Sequence, residues 1–131
     1  MSASLLTAQE LLGLFELDDV GKILYYRMDS AGTSLDLTGH NFYDEIAPFE
    51  NVAEFRQCVT DFTRGAKAAD SFDFDGHYDG SDHPVRVLLA RICERVNRNN
   101  TKSVLVHIRR GVTLNTPRNS RGEGYERDVD Q

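Results

Sequence analysis

The chain has no tryptophan and only two cysteines, Cys58 and Cys93, which form no CxxC pair. Two thiols so placed in a domain of ordinary size read as reduced, buried and inert rather than bridged. No CxxCH occurs, which excludes the usual covalent attachment of haem. The four histidines, His40, His77, His83 and His107, show no HxxH or HExxH spacing, and GxSxG, Walker and GxGxxG motifs are absent. No nucleophile is paired with a base, so the expectation is a chain that is not an enzyme. No apolar run approaches the roughly 18 residues that a membrane span requires. The first fifteen residues lack Lys, Arg and a small-residue cleavage site, so no secretory signal is expected and the location is read as cytoplasmic. Positive charge is also short: 15 Lys and Arg face 21 Asp and Glu, for a net charge of −6 and a pI of about 5.1. Such a surface repels phosphate backbones, which argues against a nucleic-acid partner. Arg109-Arg110 and the arginines from Arg118 to Arg127 are short runs interleaved with acids.

What is present is a balance of 40% hydrophobic and 27% charged residues over 131 positions, sufficient for one domain. Leu5, Leu6, Ala8, Leu11, Leu12, Leu14 and Phe15 recur at spacings of three, four and seven, which predicts an amphipathic helix over residues 3–15. Thr7 with Glu10 has the capping-box spacing. The helix either packs on its own domain or presents Leu5, Leu11, Leu12 and Phe15 to a second copy in a homodimer. Around Asp18-Asp19-Val20-Gly21, short β-prone segments predict a hairpin ending at Arg27. Residues 28–41 read as loop. Val52, Phe55, Val59 and Phe62 predict a helix over residues 51–64, with Asn51 as cap and Gly65 as stop. Residues 71–78 alternate strictly and predict a half-buried strand with Phe72, Phe74 and Tyr78 on one face. Residues 84–96 fit a helix through Val85, Leu88, Leu89, Ile92 and Val96, and equally a strand through Val85, Val87 and Leu89. Residues 103–108 predict a β-branched strand, and the polar stretch 113–131 a flexible charged tail. The organisation read from this is a helix over 1–14, a folded domain over 15–112 and a tail over 113–131.

The five aspartates from Asp70 to Asp82 do not have the spacing of a calcium loop, which needs acids at alternate positions, Gly at the sixth and Glu at the twelfth. Asp73 and Asp75 read as the wet face of a strand, and no metal site is expected. His77 and His107, on separate predicted strands, are placed to approach across a sheet, though ordinary surface histidines are the simpler reading.

The stretch Gly39-His40-Asn41-Phe42-Tyr43-Asp44-Glu45-Ile46-Ala47-Pro48 resembles a segment of PAS domains of the photoactive yellow protein family. Phe15-x-Leu-Asp-x-x-Gly-x-Ile-Leu-x-Tyr resembles that family's first hairpin, and Glu54-Phe55, Phe72 and Phe74 continue the match over residues 15–110. The resemblance implies an α+β PAS fold: five antiparallel strands, helices on one face and an N-terminal amphipathic helix outside. It favours strand over helix for Val85 to Cys93. It places a ligand pocket at Tyr26, Ser30, Phe42 and Phe49. It also implies a departure, because Phe49 occupies the position of the chromophore-bearing cysteine, and Ser30 that of a glutamate that partners the tyrosine matched by Tyr26. Thioester attachment of a hydroxycinnamoyl group is therefore impossible at that site. The flavin motif Asn-Cys-Arg-Phe-Leu-Gln of related domains is absent, and residues 51–64 contain no haem-ligating His. The expected function is a non-catalytic signalling module without a cofactor, a homodimer acting on a downstream signalling protein. The alternative is a sensor holding a small ligand or non-covalent haem in the PAS pocket.

Overall fold

The structure, a computed structural model, describes residues 6–29, 36–96 and 101–111. Five strands form one antiparallel sheet: β1 (Gly13–Leu17), β2 (Ile23–Met28), β3 (Ala69–Tyr78), β4 (Ser81–Cys93) and β5 (Thr101–Arg110), in the order β2-β1-β5-β4-β3. A single long helix, α1 (Val52–Arg64), and a short helical turn, Phe42–Ile46, lie between β2 and β3 in the chain. The α+β expectation is met.

The alternating strands have their apolar sides on one face. Phe15 and Leu17 of β1, Val104, Val106 and Ile108 of β5, and Val85, Val87 and Leu89 of β4 are all buried. Against them α1 sets Phe55, Val59 and Phe62, the stripe that its periodicity announced. Burying each such side chain contributes about 1.5–3 kcal/mol. The 84–96 segment is thus a strand. Its alternation places three side chains in the core, whereas Val96, which only the helical pattern uses, is 99% exposed. At the β3–β4 turn, Asp79 and Gly80 have φ of 52° and 75°. Positive φ at both central residues matches the right-handed twist of the strands on either side.

The N-terminal helix predicted over 3–15 is not what the described residues form. Thr7 and Glu10 do make the reciprocal capping box, with N–H donors of each reaching the other's side chain at 3.0 and 3.2 Å. One turn closes as the Leu11 N–H donates to the Thr7 carbonyl, and β1 then begins at Gly13. Gly13 has φ of 155°, and a Cβ there would collide with the Arg27 carbonyl of β2. This close approach of two backbones converts the segment to strand. Leu6, Ala8, Leu11 and Phe15 are buried in the domain's own core, and Leu12 is half-buried. Leu5 lies outside the described residues, as does the expected tail.

Asn51 also departs from expectation. Its side chain makes no bond to the helix N-terminus. It instead clasps the free edge of β3, donating to the Asp75 carbonyl (3.0 Å) and accepting the His77 N–H (2.9 Å). The other end of α1 is held by Arg91 of β4. Its guanidinium donates to the carbonyls of Phe62, Thr63, Gly65 and Lys67 and to the Thr101 hydroxyl. These include carbonyls that a helix C-terminus leaves without partners.

Candidate functional site

The segment that carries the family resemblance has a structural task in this chain. The Asn41 side chain accepts the N–H groups of Tyr43 and Asp44 at 3.0 and 3.1 Å and donates to the Val20 carbonyl at 2.9 Å. It thereby ties the helical turn to the β1–β2 hairpin. Gly21, at φ 96°, leaves no room for a side chain because the Tyr43 ring lies against it. Glu45 completes the turn. The Asn41 N–H and His40 hold its carboxyl below the usual carboxylate range.

The turn so fixed delivers Phe42 into the interior, where an unbroken chain of rings begins. Centroid separations are 5.1 Å for Phe15–Phe42, 5.7 Å for Phe42–Phe55, 5.2 Å for Phe55–Phe74 and 5.6 Å for Phe74–Phe49. The rings meet tilted or edge-on, the arrangements that aromatic quadrupoles favour. Phe49 is 3% exposed and its ring lies against Gly76, where a Cβ would overlap it. Phe15, Phe42, Phe55, Phe74 and Phe49 are all buried in the core that α1 and the sheet share. Of the four pocket residues expected from sequence, Phe42 and Phe49 lie at different points of the ring chain, connected through Phe55 and Phe74. Tyr26 is half-buried on β2, opposite Phe15. Ser30 lies outside the described residues.

A cleft of about 500 Å³ opens beside the ring chain, at a place that sequence reading did not single out. The β1–β2 turn, Tyr43, the polar side of α1 and the start of β5 form its walls. Arg56, Arg64 and Lys102 line it together with Asp18, Asp19, Thr60 and Thr63. Arg56 lies 5.1 Å over the Tyr43 ring. Burial pushes the Tyr43 phenol up to about 12, the Arg56 charge opposing it. Only the polar face of α1 hinted at this cleft, and a solvated helix face looks the same in sequence. A second cleft, of about 430 Å³, includes Cys58, Phe62, Phe72 and Leu89. Burial pushes the Cys58 thiol up, and the Asp61 and Glu54 carboxylates add to it, so the thiolate that nucleophilic chemistry requires is disfavoured.

His77 and His107 do not meet. β4 separates their strands, and His77 stands opposite Asp82 while His107 stands opposite Leu88 and Leu14.

No protein-family model and no curated protein matches the sequence. Among solved structures, the chain is similar to the PAS domain from Bordetella pertussis BvgS, with a TM-score of 0.55 over 79% of each chain at 12% identity. The chain has a PAS fold. At that identity the likeness concerns the fold alone. Within this fold the ring chain lies between helix and sheet. Among its described residues, no helix is long and apolar enough to cross a membrane.

Proposed function

We propose that this PAS domain is a non-catalytic signalling module that acts through protein–protein contact, as a homodimer passing a change to a downstream signalling protein. The observation that carries the reading is the ring chain from Phe15 to Phe49, which fills the interior where a ligand would otherwise sit. A module with a filled interior has its surface left to work with.

The sheet supplies such a surface. Strand pairing places Leu14, Leu105, Leu88, Ala90 and Ile92 on the face opposite the core, all half-buried, with Tyr25 51% exposed at the edge. Arg27, Arg86 and Arg109 lie along one side of this apolar centre, and Glu16 and Asp73 share the face. Apolar residues with charges of both signs around them suit an isologous contact, in which each copy offers the same patch. The N-terminal segment is a poorer candidate, because Leu11 and Phe15 are already buried within the domain.

Sedimentation velocity on the intact chain tests the dimer, with Leu105→Glu as its companion. Association at about 100 µM, lost in the variant, is expected. A monomeric intact chain overturns the homodimer, and an unchanged dimer in the variant moves it off the sheet. The second reading, a small-molecule sensor, is favoured by the cleft beside Tyr43, whose mixed lining of Arg56, Arg64, Lys102, Asp18 and Asp19 suits a small polar molecule.

A further inference from the structure

The β3–β4 hairpin gathers three metal-ligating side chains that neither the filled interior nor the cleft uses. We propose that Asp75, His77 and Asp82 form a binding site for one borderline divalent cation of the first transition row, with zinc(II) as its representative. Asp75 and His77 are two residues apart on β3 and so share a face, and Asp82 stands directly across from His77 on β4. The His77 Nε2 lies 3.6 Å from an Asp82 carboxylate oxygen, and one donor atom from each of the three lies within 4.8 Å of the others.

The backbone beneath this group is held from both sides. β4 pairs along one edge of β3. On the other, the Asn51 amide brackets the Asp75 carbonyl and the His77 N–H, and the Glu50 N–H donates to the His77 carbonyl at 2.7 Å. Closing around an ion therefore needs only side-chain rotation at three exposed residues, with the strands left in place. Arg86 of β4 faces Asp73 at 3.8 Å, one step along the same face of β3. One imidazole with two carboxylates is a donor set that suits zinc, nickel or cobalt, while magnesium and calcium prefer oxygen alone. Three protein ligands leave a fourth position for water.

Isothermal titration of the metal-stripped, untagged full chain with zinc chloride tests the site, with magnesium chloride as the contrast. One zinc per chain is expected, with no heat from magnesium. His77→Ala and Asp82→Asn should each weaken zinc binding by at least about tenfold. Both positions are exposed, and circular dichroism checks that the variants fold. If one does not, Asp75→Asn takes its place. Cobalt(II) in place of zinc should give visible bands without thiolate charge transfer. Absence of zinc binding at about 1 mM overturns the proposal. So does wild-type affinity in the variants, or a cobalt–thiolate band, which would place the ion on Cys58 or Cys93.

Discussion

Gly76 and Phe49 offer a test of the filled interior that depends on sign. Gly76 sits in β3 with an ordinary extended backbone, outside the positive-φ glycines. Glycine in a strand interior costs roughly 0.5–1 kcal/mol relative to alanine, so Gly76→Ala should stabilise if nothing opposed it. The Phe49 ring opposes it, because a Cβ at Gly76 would overlap that ring's edge. Overpacking of this kind costs about 1–3 kcal/mol, so the net effect of Gly76→Ala in the natural chain is a loss of up to about 2.5 kcal/mol. Phe49→Ala alone should cost about 3–5 kcal/mol, towards the upper end because the sheet backbone at Gly76 and the Phe74 ring cannot close the space. In the double variant the new methyl meets a cavity instead of a ring. Gly76→Ala should then be neutral or stabilising, giving a coupling of about 1–3 kcal/mol. Urea unfolding of the four chains measures all of this. A Gly76→Ala change that is equally harmless in both backgrounds would refute the placement of Phe49 over Gly76.

Arg91→Ala should destabilise by about 2 kcal/mol or more, because four carbonyls lose a charged donor, and Arg91→Lys should not restore it. Urea unfolding of both variants decides this. Tyr43 should ionise above the ordinary tyrosine range. Its folded value near 12 exceeds its ordinary value near 10, so its contribution to stability is fully present below about pH 10 and is lost as pH rises through about 12. Tyrosinate absorbance of folded chain and of Tyr43→Phe reads it directly. Incubation with activated p-coumaric acid should leave the mass unchanged, since Phe49 offers no thiolate. An adduct with a visible band would refute this, and Phe49→Cys is the informative companion.

Much of the fold was legible because its signals are local. The strict alternation of 71–78 and the stripe from Val52 to Phe62 each specify one face, and both became core. The N-terminal segment misled for a physical reason. Leu6, Leu11 and Phe15 have helical spacing, yet Gly13 lets two backbones approach where a helix would have to continue. That approach depends on β2, which lies elsewhere in the sequence. The Pro84–Val96 ambiguity has the same origin, since pairing with β3 and β5 decides it and periodicity does not record pairing. At the site, Phe74 was recognisable as an interior residue from the alternation of its strand, whereas Phe49 was singled out only through the family resemblance. The clasp of Asn51 on β3 and the reach of Arg91 to α1 span more than twenty residues, and no spacing rule signals them.

The central claim is that the interior of this PAS domain is closed to ligands by its own aromatic side chains. Native mass spectrometry of the purified full chain, compared with its denatured mass and its visible absorption, tests that most directly. The account predicts a colourless protein, monomer or dimer, whose native mass includes no organic ligand, any excess being a metal ion on the β3–β4 hairpin. A stoichiometric small molecule released on denaturation, or a visible chromophore such as haem, would contradict it and select the sensor reading.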